Sequence, residues 1–462
     1  MKEMEKLDSI QLSTFNRAYF IGIGGIGMSA LARYFNAIGW EVAGYDKTPS
    51  SLTDDLKNEG ISIHFEDLGS TVPSQFKEND KTLVVYTPAI PKGMGELVFF
   101  QEQTTNLFKR SEVLGLLTRQ SLGLGVAGTH GKTTTSSMLA HILNESHLKC
   151  NAFLGGIATN FSSNLVLNPT SEYTVIEADE FDRSFLKLTP FASIITSTDP
   201  DHLDIYGDAS VFLEGFQKYA ALINPKGCLV KKEGLDVVSE APTISYAIES
   251  KTADYSGDNL RFEQGKFLMD VVTPSGMLNS VELGIPGIHN AENALACIAL
   301  AHFLGLSEEE IRFGLQSFRG VKRRFEYKVR TEKLVYIDDY AHHPTEIHAL
   351  VSSVRLLYPN QKITGIFQPH LFSRTRDFFD GFAHELSELD EVVLLPIYPA
   401  REEPIPGVTS DVLLDKITSK SKQLLPALDA LNYVSNINEG VVLTIGAGDI
   451  DRIVEPLKKA LS

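Results

Sequence analysis

The segment Gly128-Thr129-His130-Gly131-Lys132-Thr133-Thr134 constrains this chain more than any other part of it. A short apolar run, 124–127, leads into it and a helical pattern over about 133–144 leads out. Glycines at such a strand-to-helix turn let backbone N–H groups face a phosphate, and the helix N-terminus adds partial positive charge. Lys132 then reaches the β- and γ-phosphates, and the Thr133 hydroxyl suits Mg²⁺. The strict pattern G-x-x-x-x-G-K-[ST] is not met, because Val126 sits where its first glycine belongs. The segment therefore reads as a shortened triphosphate loop.

What surrounds the loop is a repeating strand–turn–helix pattern, which predicts parallel sheets with crossover helices. The chain has 462 residues, enough for two to four domains. We read an α/β protein of three domains: a Rossmann-like domain over 1–119, a P-loop ATPase-like domain over 120–324, and a second Rossmann-like domain over 325–462. Residues 240–285 break the pattern. They alternate in short runs with turn signals at Asp258-Asn259 and Pro274-Ser275-Gly276, and are expected to add antiparallel strands to the central domain. Ser307-Glu308-Glu309-Glu310 predicts a capped helix start.

Forty-two basic residues against 59 acidic ones leave a formal charge of −17, which argues against a nucleic-acid partner. No apolar run approaches the ~20 residues of a membrane span, and the charged first dozen residues carry no apolar signal core. A cytoplasmic protein without membrane insertion is the expectation. The three cysteines, Cys150, Cys228 and Cys297, match no metal spacing and read as packing residues.

Further motifs fall at predicted strand ends. Gly22-Ile23-Gly24-Gly25-Ile26-Gly27, with Asp46 about 20 residues on, is a glycine fingerprint for a nucleotide phosphate. NAD is the default ligand of such a fingerprint, a nucleotide-sugar would use the same helix end, and a packing turn is the plain alternative. Glu177-Ala178-Asp179-Glu180-Phe181-Asp182 and Asp199-Pro200-Asp201-His202 place carboxylates and a histidine where Mg²⁺ would sit beside a triphosphate. His289, Asn290 and Asn293 open a helix, where asparagines either meet an adenine edge or cap the helix. Arg323-Arg324 can close on a phosphate or lie in a solvated linker. Asp338-Asp339-Tyr340-Ala341-His342-His343 invites a metal reading, but two adjacent histidines cannot easily point at one ion, so substrate binding is preferred, and Arg374 and Arg376 after His370 suit capture of a carboxylate or phosphate.

In this order, the motifs resemble the Mur ligase family, and the resemblance covers nearly the whole chain. It implies an ATP-dependent ligase with Mg²⁺ that forms an amide between the lactyl carboxylate of UDP-N-acetylmuramate and L-alanine through an acyl phosphate. A ligase of the same family that attaches a recycled murein tripeptide is the alternative. By the resemblance, Gly24, Gly25, Gly27, Asp46 and Arg110 contact the UDP-substrate, with Tyr340 near the acceptor. Gly128, Thr129, His130, Gly131, Lys132, Thr133, Thr134, Asn290, Asn293, Arg324, Asp338 and Asp339 contact ATP. Thr133, Glu177 and His202 hold the metal, and Lys132, His202, His343, Arg374 and Arg376 serve the chemistry. A monomer or weak dimer is expected. The chain departs from familiar members at Leu371, where arginine is common, at Ser197, where asparagine is common, and at Tyr86-Thr87-Pro88. An NAD-dependent dehydrogenase and a nucleotide-gated switch are the rivals from other classes.

Overall fold

The computed structural model describes residues 12–104, 106–200, 206–400 and 402–462. Three sheets carry the fold. The first has the order β3-β2-β1-β4-β5, from β1 (Arg17–Ile21), β2 (Glu41–Tyr45), β3 (Ser62–His64), β4 (Thr82–Tyr86) and β5 (Leu107–Lys109). All its pairs are parallel. Helix α1 (Ile26–Ala37) follows the first glycine motif, and α2 (Arg110–Thr118) follows β5.

The second sheet has ten strands in the order β15-β14-β13-β12-β11-β10-β6-β9-β7-β8. They are β6 (Leu122–Ala127), β7 (Asn151–Ala158), β8 (Ser163–Val166), β9 (Tyr173–Glu177), β10 (Pro190–Ile195), β11 (Leu229–Lys232), β12 (Thr243–Ile248), β13 (Tyr255–Glu263), β14 (Lys266–Thr273) and β15 (Gly276–Leu283). The helix α3 (Lys132–Glu145) follows β6. Later come α4 (Ile288–Phe303) and α5 (Glu308–Ser317), the latter opened by the expected capping box: Ser307 Oγ accepts from the Glu310 N–H at 3.3 Å, and Glu310 Oε2 accepts from the Ser307 N–H at 2.9 Å.

The third sheet has the order β16-β17-β21-β18-β19-β20. Its strands are β16 (Glu326–Arg330), β17 (Leu334–Asp339), β18 (Ile363–Phe367), β19 (Glu391–Leu394), β20 (Ser421–Leu424) and β21 (Gly440–Ile445), with helices α6 (Pro344–Leu357), α7 (Phe372–Asp377) and α8 (Phe379–Ser387) between them. Strands β17 and β21 are buried on both faces. Val335, Ile337 and Leu443 face one apolar cluster, and Leu334, Tyr336 and Val442 face the other. Double burial is why these strands read as continuous apolar runs rather than alternating ones.

The architecture is α/β, as the pattern predicts, with two corrections inside residues 240–285. Strand β12 pairs parallel with both β11 and β13, so the antiparallel addition begins only at β13. The Asp258-Asn259 turn signal lies within β13, where Asn259 takes φ 51° without ending the strand. The reversal comes at Gln264-Gly265, both at positive φ (52° and 81°), the conformation a two-residue hairpin loop demands. Helices α7 and α8 are separated by Phe378 alone.

By internal packing the chain divides into two units: one of residues 1–259, 268–284 and 292–319, the other of 260–267, 285–291 and 320–462. The first unit contains the first sheet and most of the second. There, Asn164 of β8 is fully buried against α1. It donates to the Ile26 carbonyl at 2.6 Å and to Ser29 Oγ at 2.9 Å, and accepts from Arg33 at 2.5 Å. All three cysteines are buried and free. Among the described residues, no helix is long and apolar enough to cross a membrane.

Candidate functional site

The centre of the first unit is the end of β6. Val126 is fully buried and paired in register with Ile194 and Glu177 of its flanking strands. The strand therefore runs two residues beyond the point where a longer phosphate loop would begin, which accounts for the missing glycine. Gly128 turns the chain at φ 136° and Gly131 at φ 82°. A Cβ on Gly131 would lie 2.8 Å from Asn293 Oδ1, so Asn293 of α4 reaches the loop directly. Thr129 Oγ1 donates to the Asp199 carbonyl at 2.6 Å, and the His130 N–H donates to Ser197 Oγ at 2.9 Å. The serine at position 197 thus fastens the loop. Thr133 and Thr134 are buried in the first turn of α3.

Lys132 spends its ammonium on three acceptors: the Gly128 carbonyl (2.6 Å), the Thr129 carbonyl (3.3 Å) and Glu180 Oε1 (2.8 Å). Burial works to lower the Lys132 pKa, but Glu180, Asp179 and Glu177 outweigh it and keep the amine protonated. Burial also pushes the Glu180 carboxyl up to about 7, even with the ammonium beside it.

The acidic segment after β9 faces the first glycine motif. Asp179 Oδ2 meets Arg110 Nη2 at 3.1 Å, and Asp182 Oδ2 meets Lys109 at 3.0 Å. Arg110 in turn lies over the start of α1, where a Cβ on Gly27 would come within 2.6 Å of Nη1. Between these elements is a cavity of ≈ 220 Å³, lined among others by Gly25, Gly27, Arg110, Glu177 and Asp179. The Glu177 carboxylate accepts from the Gly155 N–H at 3.2 Å at its wall. Asp46 braces the first glycine motif. Its Oδ2 accepts the Gly24 N–H at 2.8 Å and its Oδ1 the Thr48 N–H at 3.2 Å, so it holds the glycine turn itself.

His202 lies outside the described residues. Among the described residues no group of three His, Cys, Asp or Glu converges on a metal position. Thr133 at the loop and Glu177 at the cavity wall are oxygen donors of the kind Mg²⁺ takes, together with several waters.

In the second unit, the C-terminal ends of β17 and β18 collect the remaining candidates. Arg323, at φ 61°, pairs with buried Asp338 at 3.2 Å and donates to the Gly446 carbonyl at 2.7 Å. Arg324 lies over the Tyr340 ring at 5.0 Å and is 3.7 Å from Glu346. Asp339 accepts the N–H groups of Phe325 (2.7 Å) and Ala341 (2.8 Å), while burial raises its carboxyl to about 6. Asn290 donates to the Pro286 carbonyl at 2.6 Å.

The two adjacent histidines diverge. His343 caps α6, accepting from the Thr345 N–H at 3.3 Å, and its ring packs on Phe378. His342 instead stands 5.4 Å from the Tyr340 ring and 6.3 Å from the His370 ring, and Arg374 approaches His370 at 3.5 Å. Arg374 is buried, whereas Arg376 is 55% exposed in its side chain and bound to Asp377 at 2.7 Å. The structure thus gathers Tyr340, His342, His370 and Arg374, and leaves His343 and Arg376 at its margin. An i, i+1 pair at a helix start must split this way, but which histidine becomes the cap depends on the turn and not on the pattern.

Burial holds the His342 pKa down at about 4, with Arg374 adding to the effect and Glu346 opposing it. A histidine depressed below its unfolded value of about 6.5 contributes stability above that pH and loses it as pH falls toward 4. With the ring 18% exposed, we expect the wild type to lose about 2 kcal/mol more than His342→Gln between pH 6.5 and 4.5. Urea titrations of the two proteins across that range check this.

Comparison with known proteins matches three family models along the chain. Residues 17–121 match the Mur ligase family catalytic domain, 126–301 the Mur ligase middle domain, and 323–450 the Mur ligase glutamate ligase domain. The chain is 51% identical over 458 residues to a UDP-N-acetylmuramate–L-alanine ligase of Parabacteroides distasonis, covering 98% of each chain. The solved UDP-N-acetylmuramate-alanine ligase of Thermotoga maritima superimposes with a TM-score of 0.82 at 28% identity, over 96% of this chain and 98% of that one. A murein peptide ligase of Psychrobacter arcticus gives 0.68 at 23% identity, over 96% and 98%, a likeness of fold.

Proposed function

The chain belongs to the Mur ligase family, and from that premise we propose that it joins L-alanine to the lactyl carboxylate of UDP-N-acetylmuramate at the expense of ATP. One observation carries the reading. The ≈ 220 Å³ cavity has the glycine motif of the first sheet on one wall and the acids beside the phosphate loop on the other. A carboxylate on a nucleotide-sugar held at Gly24, Gly25, Gly27 and Arg110 would enter it next to a triphosphate held at Gly128–Thr134. Asp46 supports this binding through the Gly24 turn.

A carboxylate is a poor acylating agent at neutral pH. Its oxygen attacks the γ-phosphorus, ADP leaves, and an acyl phosphate forms. The L-alanine nitrogen then attacks the acyl carbon, loses a proton, and phosphate departs. Lys132 and the loop N–H groups offset charge on the transferred phosphoryl group. Thr133, Glu177 and His202 are the residues that would hold Mg²⁺, which would supply positive charge to the triphosphate. Asn293, against the loop, together with Asn290, is assigned to the adenine side. Arg324, Asp338 and Asp339 are assigned to the nucleotide from the C-terminal region.

For the amino acid, buried Arg374, 3.5 Å from His370, suits the alanine carboxylate, and Tyr340 is assigned to the same substrate. Of the two adjacent histidines, His342 shares its surroundings with Tyr340 and His370 while His343 caps α6, and both are candidates to take the amine proton. His202 remains the other candidate, and Arg376 is assigned to the outer approach. We assign the protein to the cytoplasm and expect it to act as a monomer or weak dimer, with no nucleic-acid partner. Phosphate release should require ATP, UDP-N-acetylmuramate and L-alanine together. Release with a murein tripeptide but not with L-alanine would assign the chain to the recycling reaction instead.

A further inference from the structure

The Lys132 ammonium has three N–H donors, and three acceptors already take them. Two are carbonyls of the loop itself. The third is a carboxylate from the next strand end, Glu180, which is 1% exposed. A phosphate oxygen can bond Lys132 only by replacing one of the three. The loop carbonyls are fixed by the backbone, whereas Glu180 is a side chain and an anion that a triphosphate would repel. Its hold is also incomplete. Oε2 of Glu180 is buried without a hydrogen-bond partner, so half of the carboxylate is desolvated and uncompensated. The main chain beneath it is anchored, since the Tyr206 hydroxyl donates to the Glu180 carbonyl at 2.7 Å. Only the side chain is left to move.

The geometry points to Glu180 as a positioning residue that parks the Lys132 ammonium in the nucleotide-free loop and yields it to the terminal phosphates when nucleotide binds. It rests on the assignment of ATP to the Gly128–Thr134 loop. The pair keeps the ammonium charged and extended within the turn, at the cost of apparent nucleotide affinity. When the competent state is a minority, affinity is reduced by its population.

Glu180→Gln keeps an oxygen for Lys132 but removes the competing charge. Titration calorimetry of the full chain with ATP and with ADP should give binding about fivefold tighter or more in Glu180→Gln than in the wild type. The nucleotide-free variant should melt lower, and its nucleotide-induced rise in Tm should be larger. In a Lys132→Gln background the same Glu180→Gln change should leave affinity where it was. Equal or weaker binding in the single variant, or an equal gain in the Lys132→Gln background, overturns the proposal; a purely structural Glu180 gives weaker binding. A wild type that binds neither nucleotide would instead remove the nucleotide site itself.

Discussion

Lys132→Ala is expected to lower turnover by about 10³-fold or more and, unlike most phosphate-loop substitutions, to cost stability as well. The catalytic loss follows from removing a fixed positive charge aimed at the transferred phosphoryl group. The stability loss follows from Glu180, which stays buried and loses the ammonium it pairs with. Breaking a buried pair at one end costs about 3–5 kcal/mol, because the surviving charge is uncompensated. Here the carboxyl already sits at about 7 and is expected to rise further once the ammonium is gone. A carboxyl raised above its unfolded value favours the fold below that value and withdraws the support as pH rises through the folded pKa. The deficit of Lys132→Ala against the wild type should therefore grow from pH 6 to pH 9. The double variant Lys132→Ala/Glu180→Ala should recover most of the stability and none of the activity. Urea unfolding and phosphate release, measured on the same preparations, separate the two effects.

Gly128→Ala is expected to be more damaging to the fold than its size implies. At φ 136° an L-residue is strained whatever surrounds it, and the added Cβ would lie 2.0 Å from Thr196 Oγ1 and 2.9 Å from the Ser197 N–H nitrogen. Thr196 cannot simply turn away, since its hydroxyl holds the Ala127 carbonyl at 3.2 Å. Strain and overlap each cost about 1–3 kcal/mol, so a loss of about 3 kcal/mol with nucleotide affinity down by about 100-fold is expected. Gly39→Ala is the control. Gly39 has φ 88° with nothing within 4 Å of the Cβ position, so only conformational strain applies, about 1 kcal/mol, with kinetics unchanged.

The contrast between those two glycines marks where sequence stops informing. Both stand in a sequence as helix or strand punctuation, and only packing separates them. The strand, loop and helix around Lys132 were legible because local chemistry dictates them: an apolar run, two glycines and a helical period agree over 20 or so residues. The sheets of the first and third regions were legible for the same reason. Residues 240–285 were not, because a short strand pairs parallel or antiparallel according to neighbours far along the chain. Asp258-Asn259 carried the chemistry of a turn and was overridden within β13.

Within the candidate site, residue types were legible and directions were not. Glu180 was one acid among several in its segment, and its pairing with Lys132 depends on two adjacent strand ends meeting. Asp46 has the position of a ribose-binding acid, and its bond to the Gly24 N–H is visible only once the turn is folded. His342 and His343 are equivalent in sequence, and the start of α6 assigns one to the cap and the other to the company of Tyr340 and His370. Asn164, which joins β8 to α1, lies in a stretch with no motif at all.

The most direct measurement uses UDP-N-acetylmuramate labelled with ¹⁸O in its lactyl carboxylate, incubated with ATP and L-alanine. The account predicts an amide product one alanine heavier, with ADP and phosphate formed in equal amounts and one labelled oxygen carried into each phosphate. AMP and pyrophosphate as products, phosphate free of label, or no amide from L-alanine would contradict it.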